Sequence, residues 1–147
     1  MNIDPRLAEI KDCLYRVAVK AIITNGNKLL LVLDGRDIDY SFPGGGVDYG
    51  ENLRQAVIRE LEEEIGMPSN LIASDFKIIG ANIGHVGGDI PRTNLFFKVD
   101  VDIDKVTKSS EISGYKWFTF EELVNLKLDP STGDTSEIFK VIQDYLS

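Results

Sequence analysis

The stretch FPGGGVDYGENLRQAVIRELEEEIGM, from Phe42 to Met67, sets a glycine cluster ahead of four crowded acids, Glu60, Glu62, Glu63 and Glu64. Like charges at helical spacing repel by roughly a few tenths of a kcal/mol per exposed pair, so the cluster needs either open water or a cation. The spacing predicts a helix from about Glu51 to Ile65, stopped by Gly66 and Pro68. On a wheel of about 100° per residue with Glu60 at zero, Glu63 falls at about 300° and Glu64 at about 40°, while Glu62 points away to solvent at about 200°. Leu53, Val57, Ile58, Leu61 and Ile65 form an apolar stripe beside the acids, which sets the acidic group at the border of a cleft. A bare acidic run also fits a solvated face. A hard dication such as Mg²⁺ or Mn²⁺ is the alternative, because it takes carboxylate oxygens and completes its shell with water and phosphate. Gly44, Gly45 and Gly46 read either as a tight turn or as backbone brought close to a ligand.

Outward from this stretch, YRVAVKAIIT and KLLLVLD are apolar, β-branched runs around Asn25-Gly26-Asn27, a hairpin signal that predicts two paired strands. FKIIGANIGHV and TNLFFKVDVDI are further strands, the second with Leu95, Phe97, Val99, Val101 and Ile103 on one face and Lys98, Asp100 and Asp102 on a solvated one. GYKWFTF is a last strand. Thr119 with Glu122, and Asp134 with Glu137, have capping-box spacing ahead of two helices. The class is α/β (α+β) with a mixed sheet.

No repeat or composition break divides the 147 residues, which predicts one domain over 1–147. The single cysteine, Cys13, rules out an intramolecular disulfide and fits a reducing compartment. No leader pattern and no long apolar run is present, so the expected location is cytoplasmic, with no membrane partner. A net charge of −8 disfavours a nucleic-acid partner; an anionic ligand needs a local agent, such as metal, to overturn that field.

The spacing of Gly45, Glu51, Arg59, Glu60, Leu61, Glu63, Glu64, Gly66 and Met67 resembles a complete Nudix box, the signature of the Nudix hydrolases. With seven fixed identities, a chance match at a given start is on the order of one in 10⁸ or rarer. The flanking SFPGG and GYKWFTFEEL are also similar to the family. The resemblance implies a Nudix α/β/α sandwich and Mg²⁺- or Mn²⁺-dependent hydrolysis of the pyrophosphate linkage of a nucleoside diphosphate derivative. It implies Glu60, Glu63 and Glu64 as metal ligands with the carbonyl of Gly45, and Arg59, outside the cluster on the wheel, as a brace for loop and carboxylates. Glu51 fits either an outer metal shell or a capping box with Asp48. The catalytic base is expected at Glu64 or Glu60, with Glu111 as a downstream candidate.

Outside the box, Arg16 and Lys20 share a strand face and are candidates for substrate phosphates, set against an ordinary exposed face. Arg92, in a loop after GGDIP, and Phe42, as a base-stacking ring or a core residue, complete the substrate-binding candidates. His85 is read as structural. Downstream markers that the family carries for ADP-ribose or diadenosine polyphosphate hydrolases are absent from GANIG, Gly80 to Gly84, and the coenzyme A motif is unmatched. A nucleoside triphosphate is the residual expectation, with ADP-ribose, a nucleotide sugar or a dinucleoside polyphosphate as alternatives. A non-catalytic nucleotide-binding module is a further alternative, against which the intact box argues. The expected partner is a small nucleotide, with a homodimer open.

Overall fold

The computed structural model describes residues 14–35, 38–86 and 90–146; Cys13 lies outside them. The elements are β1 (Arg16–Ile22), β2 (Thr24–Asn25), β3 (Lys28–Asp34), β4 (Gly44–Gly46), α1 (Leu53–Ile65), β5 (Lys77–Val86), β6 (Ile90–Lys98), β7 (Ile112–Thr119), α2 (Phe120–Val124) and α3 (Ser136–Gln143). They form a four-stranded mixed sheet, β4-β1-β6-β5, and a three-stranded antiparallel sheet, β2-β3-β7. β1 runs parallel to β6 and antiparallel to β4.

The continuous apolar run of β3 reflects cover on both faces. Leu30 and Val32 join Val19, Ala21, Val57, Leu61 and Ile65 in a core under α1, whereas Leu29 and Leu31 join Ile22, Phe96, Leu123, Ile138 and Ile142 under α2 and α3. Helices on both sides of sheets give the expected α/β architecture. No helix among the described residues is long and apolar enough to cross a membrane.

Three local expectations are corrected. The Asn25-Gly26-Asn27 turn forms, but only Thr24 and Asn25 pair across it, with Leu29 and Lys28. β1 departs to the other sheet because Val19 and Ile22 are both buried, on opposite faces, and a doubly covered strand belongs at a sheet's centre. The glycines are a strand instead of a turn: Gly44, Gly45 and Gly46 pair with Lys20, Val19 and Ala18. β6 begins at Ile90 and ends at Lys98, with Phe96 and Phe97 both buried, so the one-sided strand expected from Thr93 to Ile103 is not formed.

The caps also differ. α1 starts at Leu53, where Asn52 and Gln55 make the reciprocal box at 2.8 and 2.9 Å, and Gly66 at φ 63° ends it. The Thr119 hydroxyl accepts from the amide of Glu122 at 3.2 Å, one half of the expected box. Asp134 accepts from Ser136 instead of sharing a box with Glu137, whose carboxylate pairs with Lys140.

The glycine strand is sterically demanding at its first residue. Gly44 has φ 144°, and a methyl group there would collide with the carbonyl of Val19. Gly44→Ala is therefore expected to lower the unfolding free energy by ~2 kcal/mol or more. Urea unfolding monitored by circular dichroism measures this, and an unchanged midpoint contradicts the close approach.

Candidate active site

Arg59 sits at the centre of a hydrogen-bonded knot. Its Nε and Nη2 grip Glu51 bidentately at 3.0 and 2.6 Å, and Nη1 donates to Glu60 and Glu63 at 2.9 and 3.1 Å. Nη2 also donates to the carbonyl of Gly46 at 2.9 Å. One planar guanidinium thus ties α1 to the glycine strand, a task its five fixed donors suit and an ammonium's do not. Arg59 is within the acidic group, not outside it as the wheel placed it, because a long side chain folds back along the helix. Glu51 also accepts from the amide of Asp48 at 2.8 Å. The guanidinium first, and that amide second, hold its carboxyl down to about 2.

Beside the knot opens a cleft of about 220 Å³, lined by Lys20, Asp34, Ser41, Gly44, Gly45, Gly46, Glu60, Glu64, Arg92, Glu111 and Ser131. Glu64 reaches it from the last turn of α1 and accepts from the amide of Gly44 at 2.6 Å. A Cβ on Gly45 would strike the carboxylate of Glu60, so only glycine lets that group lie against the strand. Opposite the acids stand two cations, Lys20 from β1, only 3% exposed, and the half-buried Arg92 from β6.

Burial governs the charges here. It pushes Glu64 up to about 8, with the nearby Glu60 and Asp34 adding to the rise and the Gly44 amide and Lys20 opposing it. Glu60 is raised in the same way, against the pull of Arg59. Lys20 is lowered by burial and then by Arg92, and Arg92 by burial and then by Arg16. The attraction between Glu64 and Lys20 favours both charges, yet desolvation outweighs it at each end.

The sequence candidates distribute as follows. Glu60, Glu64, Gly45, Lys20, Arg92 and Glu111 come together at the cleft. Glu63 does not line it; its carboxylate is drawn to Arg59, so the three-acid convergence of the wheel is not formed. Among the described residues, no three His, Cys, Asp or Glu side chains stand close enough to hold a metal ion by themselves. Arg92 lies in β6, in register with Arg16, instead of in a loop. Arg16 is exposed, with its guanidinium against Gly46.

Phe42 is fully buried, edge to face with Phe96 at 5.8 Å between ring centres, and offers no surface to a base. Lys20 is buried, which excludes an ordinary exposed face. Glu62 and His85 are exposed. Sequence reasoning missed Asp34, Ser41 and Ser131. Asp34 had a faint signal as the acid that closes an apolar strand, whereas the serines had none.

A family model described as the NUDIX domain matches residues 14–139. A protein of Nitratiruptor sp. named RNA pyrophosphohydrolase is 31% identical over 125 residues, covering 74% of this chain and 81% of that protein. A MutT protein from Methanosarcina mazei Go1 has a similar fold, with TM-score 0.68 and 24% identity over 89% of this chain and 94% of that one. A C. elegans Ap4A hydrolase in a binary complex has TM-score 0.68 and 20% identity, covering 88% and 94% of the two chains.

The raised Glu64 has a stability consequence. An acid whose folded pKa lies above its unfolded value favours folding below the unfolded value, and that contribution is lost as pH rises toward about 8. In metal-free protein, Glu64→Gln keeps an acceptor for the Gly44 amide and removes the titration. The variant's melting temperature should match wild type near pH 5 and exceed it at pH 8.5, by ~2–4 kcal/mol of stability. Calorimetry across this range checks the expectation; a pH-independent difference refutes it.

Proposed function

The chain belongs to the Nudix hydrolase family and is a pyrophosphohydrolase; from that premise we propose that it cleaves the phosphoanhydride linkage of a nucleotide with Mg²⁺ or Mn²⁺ held at Glu60 and Glu64. One observation carries this reading: two water-starved carboxylates on α1 share a cleft with the buried Lys20 and the half-buried Arg92 of other strands. A phosphoanhydride brings anionic oxygens that suit Lys20 and Arg92, and carboxylates kept from water suit a hard cation.

The residues fit such an ion. Glu60 and Glu64 with the carbonyl of Gly45 offer the hard oxygen donors it takes, and Mg²⁺ sites commonly use one or two carboxylates with phosphate oxygens for the rest. Glu63 stays with Arg59 in this scheme. When bound, the ion supplies neutralisation of the pyrophosphate charge and a lower pKa for attacking water. Lys20 and Arg92 orient the phosphoryl oxygens, and Arg16 beside Gly46 extends the cationic run. Glu64 or Glu60 accepts the water's proton, with Glu111 on the exposed rim as the third candidate. Arg59 acts as the brace that keeps Glu60 aimed.

The substrate is proposed to be a nucleoside triphosphate, since a chain of net charge −8 favours a small anionic footprint. A second reading rests on the 31% identical relative named RNA pyrophosphohydrolase. RNA carries phosphoanhydrides only at a 5′-polyphosphate end, so the same cleft would receive the same group there.

Purified protein with Mg²⁺ is expected to hydrolyse one member of a panel of nucleoside triphosphates, 5′-triphosphorylated RNA, dinucleoside polyphosphates, nucleotide sugars and ADP-ribose. Chelation should abolish turnover. Glu60→Gln and Glu64→Gln should lower kcat by ~10²–10⁴-fold, and Arg59→Lys by at least ~10-fold, because an ammonium cannot reproduce the bidentate grip. Product chromatography reads each outcome, and no turnover across the panel sinks the proposal.

A further inference from the structure

On the same sheet face as Lys20 and Arg92, the row across the strands between theirs is Ala18, Asn94 and Asn82. Asn94 is fully buried in the middle of β6. Its amide nitrogen faces three acceptors, the carbonyl of Ser131 at 2.8 Å, the side chain of Asn82 at 3.0 Å and the carbonyl of Thr132 at 3.4 Å. That surround fixes which way the amide points, since its oxygen would find only repulsion there. Asn82 in turn donates to the carbonyls of Thr132 and Asp134 at 2.9 and 2.8 Å.

These bonds hold the turn around the 3₁₀ segment Pro130–Thr132, which is otherwise tied to the sheet edge through Tyr40, whose carbonyl accepts from the amide of Asp129 at 2.9 Å. The turn matters because it closes the cleft: Ser131 lines it, and the charge of Asp129 acts on both Lys20 and Arg92. The fit is close. A methyl group on Gly84, which pairs with Arg92 across β5 and β6, would strike the carbonyl of Ser131. Burying an amide in a strand core is costly unless its bonds are made; here those of the nitrogen are made, to this turn and to Asn82, while the oxygen has no partner among the described residues.

We propose that Asn94 is a positioning residue that latches the 129–133 turn over the cleft and thereby sets the grip on substrate, not the chemical step. The inference rests on the hydrolase reading above. Unlatched, the turn must be ordered at each binding event, so the affinity falls by the fraction of molecules in which it is already in place.

The test uses full-length protein and the panel substrate that wild type turns over. Asn94→Asp keeps the shape but replaces the donor with a fourth acceptor. Gly84→Ala keeps the Asn94 amide chemically unchanged and, from an edge strand, crowds both the Ser131 carbonyl and the Asn94 amide nitrogen, so it disturbs the same contact by a different route. Both are expected to raise KM by ~10-fold with kcat within ~2-fold of wild type, and to speed amide exchange at 131–133. A folded Gly84→Ala with unchanged KM, or a loss confined to kcat, overturns the proposal. If wild type turns over nothing, the hydrolase reading has failed on its own. The latch is then read from calorimetric binding of a methylene-bridged nucleoside triphosphate with Mg²⁺, weakened ~10-fold in both variants if it holds. Equal affinity in wild type and variants, or no binding to wild type, overturns it.

Discussion

Everything at this site depends on three consecutive residues having no side chains. β4 is a strand made only of Gly44, Gly45 and Gly46, lodged between β1 and α1. Side chains on that strand would push the helix away; without them Glu60 lies against Gly45, Arg59 reaches the carbonyl of Gly46 and Glu64 takes the amide of Gly44. The acids of α1 are thereby carried to the edge of a sheet whose other residues include the buried Lys20 and the half-buried Arg92. Glycine is entropically costly in a strand, and here that cost is offset by close approach on both sides.

The second organising feature is the division of labour among carboxylates that look alike in sequence. Arg59 grips Glu51 bidentately and divides one nitrogen between Glu60 and Glu63. Glu64 has an amide but no guanidinium, and its burial is answered only partly by Lys20. The least compensated acid is therefore the one deepest in the cleft, which is the arrangement that favours acceptance of either a proton or a cation.

Much of this was legible in the chain. The box spacing located the helix, its terminating Gly66 and two acids that line the cleft, Glu60 and Glu64, because helical periodicity maps directly to a face. What failed were features set by tertiary contact. A guanidinium's reach is not on a helical wheel, so Arg59 was placed outside a cluster that it organises. The glycine run was open to a turn because nothing in it says that β1 lies alongside. Phe42 and Phe96 meet across the core although the sequence separates them widely, and that pairing decides that Phe42 is no base-stacking ring. Asn94, in an apolar strand, carried no signal until the 129–133 turn was seen to rest on it.

The parallel pairing of β1 with β6 has a consequence for how the molecule comes into being. A parallel partner cannot be reached by a tight turn, and here the glycine strand, α1 and β5 all intervene. The central pair of the sheet is thus among the most non-local contacts in the chain, of the kind that slows folding through loop-closure entropy. On the ribosome, the acidic helix emerges well before Arg92 and Ser131 exist. The cleft's lining is split along the chain accordingly, with Lys20, Glu60 and Glu64 in its first half and Arg92, Glu111 and Ser131 in its second.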